Sequence, residues 1–379
     1  MARLHVGIET GCLAPLWIER ASMRFAKLAG VDSLLLPDHY AGFVPRALWK
    51  PEYTKAAKML PSTDAFFDPY VMMGMMAARY RRVRIGTGVT EAFRRHPATL
   101  AQAFVTVDHM TGGRAILGIG NGERENVEPY GLPFTRRVGR LEETLAIIRA
   151  LWESRGEPVN FDGSIWKLRN ALFATPLYKE KAPTVWVAAH APRMLGLAGR
   201  FADGWYPAQK MSAAEYRAKL DTIRAAAMQA GRPVDRFEPA LQIELALGTN
   251  RRHVLEQLMK VKPAVAMSLL MPGAVWKKHG LRHPLGESYE GFADIIPNDV
   301  PPAAFAEAER VATPQLVGDG LFAGNVNEVV DEIKPLVGAG LKHVVIWNIG
   351  MLATGGTPAD LVRQTHLVWR LKKLQANGA

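Results

Sequence analysis

Residues 115–123 read AILGIGNGE. An apolar run stops at alternating glycines, and a carboxylate follows at once. Apolar residues at successive rather than alternate positions suit a parallel strand covered on both faces. Glycines at the end of such a strand let the backbone come close to a neighbour or a ligand. The same kind of run recurs along the chain, at LHVGIE (4–9), SLLLPD (33–38), VRIGTGV (83–89), TVWVAA (184–189), GWYPA (204–208), LQIELAL (241–247) and HVVIWNI (343–349). With 115–120 these make eight expected strands.

Segments of helical period stand between them. LWIERASMRFAKLAG (16–30) has a broad apolar surface and ends on a glycine suited to a C-cap. HPATLAQAFVTVDHMTGG (96–113) opens with proline in its first turn and closes on two glycines. RLEETLAIIRALWES (140–154) spaces Leu141, Leu145, Ile148 and Leu151 by three and four. Ser212 and Glu215 form an expected capping box for 212–231. NVNEVVDEIKPLVGAG (325–340) leads into the last strand, and Pro335 is expected to kink it or end it early. Eight strand–helix repeats predict an α/β fold, a (β/α)8 TIM barrel in a single domain spanning 1–379. Insertions are expected after strands 2, 4 and 7, at 39–66, 155–182 and 263–322. The second alternates around Asp162-Gly163 and reads as a hairpin; the third, rich in Pro, Gly and His, reads as a lid with short helices.

Composition narrows the function classes. Lys plus Arg outnumber Asp plus Glu by 47 to 36, a formal net charge of +11, which favours an acidic ligand or surface. The basic run RYRRVR (79–84) and the pair Lys277-Lys278 lack the interleaved aromatics of a nucleic-acid module, so no nucleic-acid partner is expected. The single cysteine, Cys12, excludes a disulfide framework. His279 and His283 are four apart, but Gly280 and Pro284 break the helix that would align them, so no metal site is expected. No apolar run is long enough to span a membrane and the N-terminus shows no secretory leader, so a cytoplasmic protein is expected, with peripheral membrane contact left open.

Chemistry in such a barrel belongs at the C-terminal ends of the strands. Strand 2 delivers Asp38-His39-Tyr40 there, strand 3 Gly88-Val89-Thr90, and strand 4 Gly120, Asn121, Gly122, Glu123 and Asn126. Strand 5 delivers His190 and Ala191, strand 6 Gln209 and Lys210, and strand 8 Asn348; strand 7 adds little beyond Thr249-Asn250. Taken singly, Asp38 or Glu123 serves as well for a cap and His39 or Lys210 for a solvated surface group. Their joint placement makes His39 and Glu123 the candidate acid–base pair. The GxGxG of GIGNG lacks the spacing of a dinucleotide fingerprint, and no Walker loop or nucleophile elbow occurs.

At LLLPDHY, IGTGVTEAFRRHPATLAQAF, GGRAILGIGNGERENVEPYG, VNFDGSIWKL, VWVAAHAPRMLGLAGRFADGWYPA and KHVVIWNIG the chain resembles the luciferase-like superfamily, and within it the oxidoreductases that use the deazaflavin coenzyme F420. DHYAGFVPRALW, NALFATPLY, AAHAPRML and MPGAVWKKHGLRHPLGESYEGFADIIP are similar to the mycobacterial phthiodiolone and phenolphthiodiolone dimycocerosate ketoreductases, which reduce a ketone on a long-chain lipid. The resemblance implies a barrel holding F420 across its C-terminal rim, His39 beside the reactive ring, Asp38, Glu123 and Asn126 in family positions, and a non-prolyl cis bond at Gly88–Val89. It implies a homodimer, and it leaves two alternatives, a flavin mononucleotide monooxygenase and a non-catalytic deazaflavin-binding protein.

Four positions depart from the family's sugar-phosphate dehydrogenases. Their strand-five Gly-Gly is His190-Ala191, their Trp after the strand-two His is Phe43, their acidic residue beyond strand 1 is Leu13, and their strand-six Lys is matched only approximately by Lys210. These changes favour a less polar substrate, with Phe43, Lys210 and, on the lid, Trp276 as candidate substrate contacts.

Overall fold

The computed structural model describes residues 2–80, 82–208 and 210–376; Arg81 of the basic run and Gln209 lie outside them. Eight parallel strands form the barrel: β1 (His5–Glu9), β2 (Ser33–Leu36), β3 (Arg84–Thr87), β4 (Ala115–Gly120), β5 (Thr184–Val187), β6 (Gly204–Trp205), β7 (Glu238–Leu247) and β8 (His343–Asn348). Each pairs with the next, β8 pairs with both β7 and β1, and Gly204 opposite Glu238 joins β6 to β7, so the sheet closes. Glycine within the AILGIG strand has a steric reason. A Cβ on Gly118 would collide with the Thr87 carbonyl oxygen of the neighbouring strand.

Eight helices surround the strands: α1 (Leu16–Ala29), α2 (Pro69–Arg79), α3 (Pro97–Thr111), α4 (Arg137–Glu153), α5 (Pro192–Phe201), α6 (Ala213–Gln229), α7 (Val326–Gly338) and α8 (Pro358–Lys372). The Ser212–Glu215 capping box is formed as expected. Pro335 does not end α7 early. The helix runs on to Gly338: the proline forgoes only its own bond back to Asp331, and the Ala339 amide still donates to the Pro335 carbonyl at 3.0 Å. Between strands and helices lies the main apolar layer, including Val6, Ile85, Leu117 and Phe104, while Leu35, Ile116, Trp186, Tyr206, Ala240 and Val345 fill the barrel itself.

Three longer stretches join these elements. After β2 the chain makes two short 3-10 turns, Arg46–Leu48 and Lys55–Lys58. After α4, Val159–Asp162 and Lys167–Ala171 pair as an antiparallel hairpin. Its turn is fastened to α4 by Glu143, which accepts from the amides of Ser164, Ile165 and Trp166 at 2.9, 3.0 and 2.9 Å. After β7 comes the lid, built of short helices at Lys262–Ala266, Gly273–Lys278, Pro302–Val311 and Pro314–Asp319.

Candidate active site

A cavity of about 980 Å3 opens at the C-terminal ends of the strands, at the upper end of ligand-site volumes. His39, three residues beyond β2, faces it between two aromatic rings, edge-on to Phe43 at 5.1 Å and stacked on Phe66 at 5.5 Å. The preceding Asp38 is locked in place. Its Oδ2 accepts from Thr90 Oγ1 at 2.6 Å and Arg95 Nη1 at 2.5 Å, and Arg94 Nη2 lies 3.1 Å from Oδ1. Arg94 is held in turn by Glu91 at 2.6 Å and stacks over Tyr40 at 4.4 Å. This buried pairing fixes the segment carrying His39, and it uses Arg94 and Arg95, which no sequence motif singles out.

Two carboxylates flank the imidazole. Glu123 Oε2 is 3.3 Å from Nε2, and Glu125 Oε1 is 3.2 Å from Nδ1. Nδ1 also lies 3.3 Å from the Ala41 carbonyl oxygen. Nδ1 thus has two acceptors nearby and, at 3.2 Å, the Asn126 Nδ2 donor, while Nε2 faces Glu123 and the cavity. Asn126 completes the cluster. Its Oδ1 accepts from the Tyr40 amide at 2.7 Å, and its Nδ2 donates to Glu125 at 3.2 Å and Glu123 at 3.4 Å. His39, Glu123 and Glu125 have atoms close enough to grip a cation. The Asn126 amide, which donates to both carboxylates, holds them beside the imidazole.

Burial pushes the Glu123 carboxyl up to about 7, against the lowering influence of the neighbouring His39 ring. About a third of this side chain is exposed, into the cavity. Burial also raises Glu125 well above the usual carboxylate range. Deeper in, Glu9 accepts from Gln242 at 2.8 Å and Tyr206 at 3.2 Å and is held high by burial, while burial takes Glu244 up to about 8. Strand 7 is therefore more than a spacer. The alternation of LQIELAL points Gln242 and Glu244 into the cavity, a signal legible in a polar residue at every second position.

The GNGE corner forms part of the same wall: Gly120, Asn121, Gly122 and Glu123 border the cavity with Gly88, Val89 and Thr90, and the Gly88–Val89 bond is cis. Gly122 has φ +82°, a conformation that side chains disfavour. Asp38, Phe43, Asn126, His190, Ala191 and Asn348 border the cavity too. His190 Nδ1 is buried without a partner, and burial lowers the ring to about 4. Next to it, Ala191 starts α5 with no side-chain cap, leaving first-turn amides for an anion.

Two expected substrate contacts are corrected. Lys210 turns away from the cavity, because its ammonium is bound by Glu332 on α7, by the Leu321 carbonyl at 2.7 Å and by that of Gly318 at 3.4 Å. Trp276 is fully buried among Leu269, Ala308 and Leu316, with its indole N–H donated to the Ser268 carbonyl at 3.1 Å. A ring that size gains more from the lid's own core than from the rim. The lid still walls the cavity, through Met267, Pro272, Ala274, Tyr289 and Phe292. His279 and His283 do not converge; the first meets Asp319 at 2.8 Å and the second the Leu269 carbonyl at 3.3 Å.

Fold and site together define a barrel enzyme with acid–base groups at the rim of a ligand-sized, largely apolar cavity. The profile of the luciferase-like monooxygenase family matches residues 18–343, and the chain belongs to that family. It is 42% identical over 337 residues to the phthiodiolone/phenolphthiodiolone dimycocerosates ketoreductase of Mycobacterium kansasii, covering 88% of this chain and 91% of that protein. It is 31% identical over 332 residues to the F420-dependent glucose-6-phosphate dehydrogenase of Amycolatopsis mediterranei (strain U-32), covering 86% of each. Among solved structures, an F420-dependent secondary alcohol dehydrogenase with an F420-acetone adduct superposes with a TM-score of 0.73 at 19% identity, over 97% of this chain and 99% of that one.

Proposed function

We propose that the protein is a coenzyme F420-dependent oxidoreductase that reduces the ketone of a hydrophobic substrate. One observation carries the reading: His39 stands between two carboxylates at the rim of an apolar cavity, in a chain with the ketoreductase similarity described above. Arg137 is the one Arg or Lys among the described residues bordering that cavity, and it is paired with Glu290 at 3.3 Å. A sugar phosphate would find little to hold it there, whereas an apolar ketone would.

The residues present fit the cofactor. Gly88, Val89, Thr90 and the Gly120–Gly122 corner would hold the ring, and the unpartnered His190 Nδ1 with the uncapped start of α5 suits its phosphate. When bound, the reduced deazaflavin supplies the hydride. His39 Nε2 delivers a proton to the carbonyl oxygen as negative charge builds on it. Glu123, with its raised carboxyl, would take up the proton that the cofactor gives up along with its hydride. Over the 3.3 Å between them the carboxylate returns that proton to the imidazole, so the cluster ends the reaction in its starting state. Glu125 and Asn126, both beside Nδ1, keep the ring oriented.

Titrating the apoprotein with F420 and with flavin mononucleotide, followed by fluorescence quenching, tests the reading. Tight binding of F420 and weak binding of the flavin are expected; equal or reversed affinities refute it and leave the monooxygenase alternative. Oxidation of reduced F420 by an aliphatic ketone separates an enzyme from a deazaflavin carrier. The same proposal places the protein in the cytoplasm as a homodimer, which light scattering checks. Among the described residues no helix is long and apolar enough to cross a membrane.

A further inference from the structure

The cavity does not stop at the barrel mouth. Its lining extends onto α1 and α8, an arm of the cavity on which Trp17 and Leu361 are exposed. On α1 it is bordered by Trp17, Ile18, Ala21, Ser22 and Phe25, a stripe with the period of one helix face and about 12 Å long. On α8 it meets Leu361 and Gln364. Trp17 is 55% and Leu361 46% exposed, so both of these large apolar groups meet water as well as the cavity.

The polar groups along the arm are mostly engaged with each other. Gln364 accepts from Asn348 at 3.1 Å, and Asp360 accepts from the Thr357 amide and hydroxyl, each at 2.8 Å. Glu19 accepts from the Leu13 amide at 3.2 Å and keeps its second oxygen unpaired, and burial raises its pKa. No Lys or Arg among the described residues lines the arm, so the acidic tail of a deazaflavin has no counter-charge in it. A hydrocarbon needs none.

We propose that the α1–α8 arm is the subsite for an aliphatic chain of the substrate, which runs from the carbonyl at His39 outward past Trp17. The proposal rests on the ketone-reductase reading and adds where the substrate's chain lies: an extended, unbranched alkyl chain beside the ketone would run along α1 and α8. Buried methylenes contribute about fourfold each in affinity. Specificity should therefore climb with chain length until the arm is filled, and then level off.

The test uses 2-alkanones from butanone to hexadecan-2-one with the holoenzyme and reduced F420. In the native protein kcat/KM should rise about fourfold per methylene over the middle of the series. Ser22→Trp or, at a solvent-exposed position less able to disturb folding, Ala21→Trp should collapse the long-chain to short-chain ratio by at least tenfold. A second readout needs no turnover: dodecan-2-one should change the tryptophan fluorescence of the native protein, and Trp17→Phe should diminish that change, Trp49 and Trp347 in the inner cavity keeping their share. A fluorescence change at Trp17 without reduction would keep the arm and sink the ketoreductase. Reduction of all chain lengths with one kcat/KM, or an unaltered ratio in both blocking variants, would sink the arm and keep the ketoreductase. Weakened F420 binding in Ala21→Trp would assign the arm to the cofactor and overturn the proposal.

Discussion

Replacing Trp276 by alanine separates a wall residue from a core residue. The indole is fully buried against Leu269, Ala308 and Leu316, packs edge-on to His283 at 5.1 Å, and donates one hydrogen bond to Ser268. Removing an aromatic side chain of this size from a packed core costs about 3–5 kcal/mol, and the lost hydrogen bond adds about 1 kcal/mol. At about 2.1 cal/mol/K per residue, a cooperative unit of 379 residues has an unfolding entropy near 0.8 kcal/mol/K, so the combined loss of about 4–6 kcal/mol should lower Tm by about 5–8 °C. Because the cluster belongs to the lid, cleavage by a trace of protease should begin within 263–322 before the barrel unfolds. Differential scanning calorimetry and timed proteolysis measure both. An unchanged Tm with a raised KM would place the ring in the substrate path and refute the reasoning.

Three further outcomes follow from the site. His39→Ala should leave F420 affinity nearly intact and lower turnover at least ~100-fold, the loss expected of a general acid; steady-state kinetics beside a binding titration decide it. Glu123 must be ionised to accept a proton, and its carboxyl stands at about 7, so ketone reduction should fall about tenfold per pH unit below that value. Glu123→Gln should erase this acid limb in a pH–rate profile, and its survival would assign the limb elsewhere. F420 affinity should drop as salt rises from 50 to 500 mM, since a net charge of +11 attracts an acidic tail through a field that ions screen.

The barrel was legible because its strands are buried on both faces and leave unbroken apolar runs. Three helices were less so. Pro69–Arg79, PYVMMGMMAAR, is apolar on nearly every side and shows no stripe. Pro192–Phe201 and Pro358–Lys372 announce themselves chiefly by a proline in the first turn, and the second also by the Thr357–Asp360 capping box. In the site, the position of Glu125 depends on the short turn Arg124–Asn126, which turns it inward beside Glu123. Nothing local marks that choice, since both are glutamates two residues apart. Lys210 was misread for a similar reason: its partner Glu332 is far along the chain. For Trp276, sequence placed the segment over the rim but left open which side of a short helix faces the cavity.

The lid possesses a hydrophobic centre of its own, behind the surface it turns to the cavity. Its stability and its choice of ligand are therefore written in different residues. Exchanges at Pro272, Ala274 or Phe292 can reshape the ceiling of the site while Leu269, Trp276 and Leu316 keep the lid folded. A scaffold divided in this way can drift from one substrate to another through single substitutions, each leaving a folded and soluble intermediate.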